Sequence, residues 1–397
     1  MPMSYKKYLK AFVKKIVPPV VISNVKGTVD AIRTYYPDFI FGDGKVRSLR
    51  SVCIEVTFKC NCRCQMCPLY GVQVDGGKEL LESIGKEPEM TVEEFKMLFD
   101  GLKKMGTQSV AFSGGEAFLR KDMADITRLA KDAGFEVHFT SNGGILNKEI
   151  ARWVVELGVD NITISLDGPK KLHEEIRKAK VFDRIMEGVD FIEEEKKKQG
   201  KEKPTLGFLC TVSALNQDNL SGLVAIAKSK GVPLVIDPII FVSEEGWQET
   251  MKAFDSDFIK QESFIMPEDI GRVDVDVLEH ELREVLREAK ELDQEVHVSI
   301  VGEETRRKFF NDINYSIVNK CFAPWYSCRV DPYGNVYPCS LSISMGNLRE
   351  SGIQDIVNGE KFVDFRRKLK KNGLLPFCKK CCVLYSHNSY WNYLPRI

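Results

Sequence analysis

From Ser51 to about Ile240, short β-branched runs alternate with amphipathic helical stretches. That alternation restricts the chain to α/β architectures built on a parallel sheet. Strands are expected at Ser51–Thr57, Ser109–Phe112, Glu136–Thr140, Asn161–Leu166, Thr205–Val212 and Pro233–Ile239. Helices are expected at Val92–Lys104, Lys121–Ala133, Lys148–Leu157, Phe182–Lys198 and Asn219–Lys230, with Thr91 and Glu94 forming a capping box at the first. Such units close into a partial barrel or stay an open sheet. In both, chemistry belongs on the loops after the strand C-termini. Residues 241–320 are less regular, with a charged helix at Val277–Leu292 and a strand at Glu295–Ile300. They read as the end of the sheet layer and a bridge. The resulting organisation is an N-terminal extension (1–48), a core (49–240), the bridge (241–320) and a C-terminal module (321–397).

Cys60, Cys64 and Cys67 stand as C-x3-C-x2-C in TFKCNCRCQMCPLY, directly after the first strand. Three thiolates on one tight loop suit three irons of a 4Fe–4S cluster, whose ordinary complement is four cysteines. The iron without a protein ligand is then open to a substrate or cofactor. Cys62, inside the loop, is an alternative ligand. Zinc is the competing metal, although its sites usually show paired C-x2-C halves. A second group lies far away in sequence, at Cys321, Cys328, Cys339, Cys378, Cys381 and Cys382. Two groups point to two metal sites. Cys210 alone lies between them, in an apolar run, and reads as a small core residue.

Twelve cysteines behind a start (MPMSYKKYLK) without an apolar signal region argue for metal ligation in a reducing cytoplasm. The formal net charge is zero, so no bulk attraction to nucleic acid follows. No apolar run approaches the ~20 residues of a spanning helix. Tyr5–Ile16 carries an apolar stripe flanked by lysines. It reads either as a helix lying on an anionic membrane surface or as one packed on the domain.

Three strand ends carry polar groups: Ser113-Gly114-Gly115-Glu116, Thr140-Ser141-Asn142-Gly143 and Ser165-Leu166-Asp167-Gly168. Glycines permit close backbone approach, and a carboxylate accepts hydrogen bonds from an ammonium group. Each also fits an ordinary turn, but their succession fits a nucleotide-like ligand better.

With these motifs in order over residues 49–240, the chain resembles the radical S-adenosylmethionine enzymes. The resemblance implies a partial (β/α)6 TIM-like barrel and Cys60, Cys64 and Cys67 as cluster ligands. It implies that S-adenosylmethionine chelates the open iron through its amino and carboxylate groups. It places Gly114, Gly115 and Glu116 near the methionine ammonium, and Ser141, Asn142 and Ser165 near the ribose. Asp167 and Arg177 match a segment whose Arg supports the cofactor. One departure is Met66, where an aromatic residue commonly precedes the last cysteine; a thioether also packs on adenine. The implied chemistry is reductive cleavage to a 5′-deoxyadenosyl radical, which takes hydrogen from an unactivated C–H bond.

The segment CFAPWYSCRVDPYGNVYPC and the late C-x2-C resemble a SPASM or twitch auxiliary-cluster domain, a small β-hairpin and helix module. The resemblance implies one auxiliary 4Fe–4S cluster on Cys321, Cys339, Cys378 and Cys381, with Cys328 and Cys382 as substitutes and the aromatic tail around Tyr385–Tyr393 as cover. Zinc is again the alternative. The expected partners are an electron donor such as flavodoxin or ferredoxin and a small-molecule or lipid substrate. A ribosomal peptide is the second choice, because 48 residues before the core are too few for a winged-helix recognition domain.

Overall fold

Every second residue of the first strands is apolar and fully buried: Val52, Ile54 and Val56 on β1 (Ser51–Thr57), Val110 and Phe112 on β2 (Ser109–Gly114). The pattern continues with Val137 and Phe139 on β3 (Glu136–Ser141), and Ile162 and Ile164 on β4 (Asn161–Ser165). Successive side chains of a strand point to opposite faces, so one face must be covered. Helices cover it. Phe99 of α1 (Val92–Lys104) meets Phe112 with ring centroids 6.4 Å apart, and Trp153 of α3 (Lys148–Glu156) meets Phe139 at 6.2 Å. Between them α2 (Met123–Asp132) connects β2 to β3.

This computed structural model describes residues 36–67, 69, 87–239, 244–252, 268–341, 343–381 and 384. After β4 come α4 (Lys170–Arg177), α5 (Phe182–Gln199), β5 (Thr205–Val212), α6 (Gly222–Lys230) and β6 (Leu234–Pro238). Then follow α7 (Val275–Glu291), β7 (Val296–Val298), α8 (Glu303–Asn311), β8 (Ser327–Val330), β9 (Asn335–Tyr337), β10 (Gly346–Asn347) and α9 (Glu360–Asn372). One sheet runs β10-β9-β8-β1-β2-β3-β4-β5-β6-β7. It is parallel from β8 through β7 and antiparallel only within β8–β9–β10. Among the described residues its edges, β7 and β10, do not pair with each other, so the α/β sheet is not a closed barrel.

Two features differ from the sequence reading. The C-terminal hairpin is hydrogen-bonded into the main sheet, with Cys53 of β1 opposite Arg329 of β8. Helix α4 was not expected: KKLHEEIR buries only His173 and Ile176 and has no apolar stripe to announce it. It begins behind Pro169 at its N-cap, and Lys178 closes it with positive φ. The charged helix and the strand of the bridge are present as α7 and β7.

The stretch Tyr5–Ile16, Cys382 and the aromatic tail lie outside the described residues. Among the described residues no helix is long and apolar enough to cross a membrane. Nothing supports the membrane reading of Tyr5–Ile16.

The opposite, inner face carries polar groups on most strands. Arg329 is on β8, Cys53 and Glu55 on β1, Ser113 on β2, Thr163 on β4, Thr211 on β5 and Asp237 on β6, all half-buried. Leu209 and Val235 interrupt this lining.

Candidate functional site

The cysteine loop leaves β1 at Thr57 and is clamped from two sides. From β2, the Gly115 and Glu116 amides donate to the Thr57 and Lys59 carbonyls at 2.7 and 2.9 Å. From α4, the Ile176 and Arg177 carbonyls accept the Gln65 and Arg63 amides at 2.9 and 3.0 Å. These carbonyls end a helix and have no intrahelical partner, so the loop satisfies them. The glycines serve this clamp. A Cβ on Gly114 would lie 2.2 Å from the Thr57 carbonyl oxygen, and one on Gly115 would lie 2.3 and 2.5 Å from those of Lys59 and Phe58. Gly114 also has φ +124°. The close approach read from the sequence is thus made to the chain's own cysteine loop.

Cys62 is 1% exposed, and its amide donates to the Cys60 sulfur at 3.4 Å. The neighbouring Cys60 and Cys64 sulfurs push the Cys62 thiol up, and Cys62 in turn lowers Cys60 to about 6 and lowers Cys64, which Arg177 also favours as thiolate. Arg177 Nη1 lies 3.6 Å from the Cys64 sulfur, and Asn142 Nδ2 lies 3.7 Å from the Cys60 sulfur. Cys67 is half-buried, its amide donating to the Cys64 carbonyl at 3.1 Å.

Glu116 is 1% exposed. Its Oε1 accepts from the Phe118 amide (3.2 Å) and the Ser141 hydroxyl (2.9 Å), and its Oε2 accepts from the Asn142 amide (2.7 Å). Burial nevertheless pushes its carboxyl up to about 7. The Asn142 side chain continues the network, donating to Asn61 Oδ1 at 2.8 Å and accepting the Gly144 amide at 2.8 Å. Asp167 is fully buried. Its Oδ2 accepts Arg177 Nε at 2.6 Å, its Oδ1 accepts the Thr211 amide at 3.3 Å, and its carbonyl accepts Asn216 Nδ2 at 2.9 Å. Its amide donates to His173 Nδ1 at 3.1 Å. Ser165 ends β4 on the inner face, in register with Leu209. The structure therefore brings Glu116, Ser141 and Asn142 to Cys60, and Asp167 with Arg177 to Cys64. Asn61, His173 and Asn216 were not anticipated. Asn216 follows the fifth strand as the other polar groups follow theirs. His173 is one helical turn before Arg177, a spacing visible only once α4 is recognised.

At the other group, Cys321, Cys339, Cys378 and Cys381 are close enough to act on one another through charge. Burial, and then the neighbouring sulfurs, pushes Cys339 up to about 12 and Cys321 and Cys378 upward too. Cys328 stands apart, beside Arg366 and Cys53. The loop between Cys378 and Cys381 is anchored by Lys380. Its ammonium donates to the carbonyls of Phe309, Asp312 (2.8 Å) and Tyr315 (3.2 Å) at the end of α8, and burial lowers it to about 8. The hairpin turn is organised by Asp331, which accepts the Tyr333 and Asn335 amides, Asn335 Nδ2 and the Tyr337 hydroxyl, each at 2.9 Å. Tyr333 meets Phe58, at the head of the cysteine loop, with ring centroids 5.7 Å apart. Among the described residues no three His, Cys, Asp or Glu side chains converge on one metal ion.

Both cysteine groups fall within regions that match known domains. Residues 54–206 match the radical SAM superfamily, and residues 321–382 match SPASM, an iron–sulfur cluster-binding domain. The AdoMet-dependent heme synthase of Methanosarcina barkeri is 25% identical over 84% of this chain and 90% of its own length. The Fe-coproporphyrin III synthase of the same organism is 27% identical over 46% of this chain, which spans 41% of that protein. Streptococcus suis SuiB, bound to its precursor peptide SuiA, superposes with a TM-score of 0.59 at 13% identity, over 86% of this chain and 74% of SuiB. That likeness shows the fold. A radical SAM domain carries a 4Fe–4S cluster and S-adenosylmethionine, and a SPASM domain carries auxiliary iron–sulfur centres. The chain belongs to the radical SAM superfamily and is an enzyme with a SPASM domain.

Proposed function

We propose that the chain takes a hydrogen atom from a C–H bond of a small, polar molecule held against the inner face of the sheet. Cys60, Cys64 and Cys67 would hold the 4Fe–4S cluster, and with S-adenosylmethionine that cluster supplies a 5′-deoxyadenosyl radical. The donor chemistry fits: the Cys60 and Cys64 sulfurs are disposed to be thiolates, the form that binds metal. Arg177 and Asn142 hold those sulfurs through hydrogen bonds. Asp167, without exposure to water, keeps Arg177 charged and aimed. Glu116 fixes the Ser141–Asn142 turn, and its Oε2, with one donor, has capacity for the methionine ammonium. Gly114 and Gly115 keep the loop close to β2, and Ser141, Asn142 and Ser165 present polar groups toward a ribose.

Cys321, Cys339, Cys378 and Cys381 would hold one auxiliary 4Fe–4S cluster. Four buried, mutually repelling sulfurs persist as thiols or as metal-bound thiolates, not as bare anions. Residues 49–240 would be the core and 321–397 the auxiliary module, in the cytoplasm with a flavodoxin or ferredoxin as electron donor.

The polar inner face carries the choice of substrate. An acyl chain packed there would strip water from the polar side chains of Ser113, Thr163, Thr211 and Asp237 and offer them no hydrogen bond in return. The near full-length match to a heme synthase also favours a small molecule over a peptide. The test is anaerobic: reconstituted protein with dithionite and S-adenosylmethionine, assayed for 5′-deoxyadenosine alone and with polar-metabolite, lipid and peptide fractions. Yield should rise with the polar fraction and vanish in Cys64→Ala. Stimulation by the lipid or peptide fraction alone would overturn the substrate class, and equal yield from Cys64→Ala would remove the loop from the reaction.

A further inference from the structure

We propose that Arg329, balanced by Glu55, sets the reduction potential of the auxiliary cluster; the proposal rests on the reading of Cys321, Cys339, Cys378 and Cys381 as its ligands. Arg329 is a positioning residue on the inner face of β8, opposite Cys53 of β1. Its Nη1 donates to Glu55 Oε2 at 2.5 Å, and its Nε donates to the carbonyl of Cys339 at 3.3 Å. Its guanidinium lies 4.2 Å from the Tyr337 ring centroid, and Tyr337 is held in turn by Asp331. The side chains of Arg329 and Glu55 are only 14% and 18% exposed, so little water screens the pair. The cation therefore bonds directly to the backbone of one ligand through Nε and to its carboxylate through Nη1. Lys380 does not compete for this role. Although it sits in the C-x2-C loop, its ammonium is turned to the carbonyls of residues 309, 312 and 315.

Reduction adds one electron, and so one negative charge, to the cluster. A nearby cation favours the reduced form and a carboxylate opposes it, so net charge and hydrogen bonding around a cluster tune its potential. The arrangement links the wall of the proposed substrate cavity to the auxiliary centre, and makes that centre easier to reduce than the four cysteines alone would.

The test uses the full-length chain with Cys60→Ala, Cys64→Ala and Cys67→Ala, so that the auxiliary cluster is the sole iron signal. An EPR-monitored redox titration at pH 8 then compares variants. Glu55→Gln leaves the cation uncompensated and should shift the reduced-to-oxidised ratio at a fixed potential upward by about tenfold, equivalent to about 59 mV for one electron. Adding Arg329→Gln to Glu55→Gln removes the cation without leaving a buried carboxylate unpaired, and should reverse that shift. Arg329→Lys keeps the charge and should stay near wild type. Loaded clusters whose potentials do not move, or that move in the same direction when either charge is removed, overturn the proposal. A background chain that binds no iron overturns the ligand assignment, and the proposal with it.

Discussion

Gly115→Ala probes the clamp on the cysteine loop more sharply than any cysteine replacement, because it leaves every proposed ligand in place. The new methyl carbon would stand 2.3 Å from the Lys59 oxygen and 2.5 Å from the Phe58 oxygen, both backbone atoms that no rotamer can move aside. Ordinary contact requires separations above 3 Å, so the loop must retreat by about 1 Å, at about 1–3 kcal/mol for an overpacked site. Lys59 is bonded to Cys60, so the displacement passes directly to the first proposed ligand. Misplacement of about 1 Å can cost about 10²-fold in rate. Gly115→Ala should therefore cleave S-adenosylmethionine about a hundredfold more slowly and lose iron from the first site while retaining auxiliary iron. Gly207→Ala is the control, since its Cβ meets nothing within 4 Å. Iron and sulfide counts, thermal melts and 5′-deoxyadenosine yield report the outcome. A Gly115→Ala protein with full iron and wild-type turnover would refute the clamp as the reason for the glycine.

Asp167→Asn leaves the Arg177 guanidinium without its buried partner and should cost about 3–5 kcal/mol in urea unfolding, with the Cys64 site the first to lose iron. Cys62→Ala should retain iron at the first site, because burial and the neighbouring sulfurs disfavour its thiolate; iron loss equal to that of Cys64→Ala would make it a ligand. Cys328→Ala should retain auxiliary iron and Cys339→Ala should lose it. His173 accepts the Asp167 amide and is held near pKa 4 by burial, against 6.5 for an ordinary imidazole. The unfolded chain thus binds more protons between pH 6.5 and 4. Stability present above 6.5 is lost as pH falls through that window, about 2 kcal/mol of it between pH 7 and 5. His173→Gln should flatten that part of the stability profile relative to wild type, and an unchanged slope would assign it to other groups.

Much of the architecture could be read before any coordinates. Strand positions followed from alternating β-branched residues whose buried face is continuous, and the helix at Val92–Lys104 from its capping box and apolar spacing. Local patterns of this kind are legible because they reflect one element burying one face. Helix α4 escaped because its burial is small and polar, with Arg177 turned to the buried Asp167 carboxylate and His173 to the Asp167 amide.

By itself the sequence determined the two cysteine groups, the parallel α/β class and the order of polar strand ends, since each is a matter of residue type at fixed local spacing. Only the tertiary structure decided which sulfurs share a neighbourhood, that the Cys62 amide meets the Cys60 sulfur, that Cys328 stands apart, and that the glycines at the end of β2 yield to the chain's own loop. It also joined β8 to β1 and so brought Arg329 to Glu55. These are contacts between segments distant in sequence. They depend on strand order and register, and no local pattern of side chains encodes which strand will lie beside another.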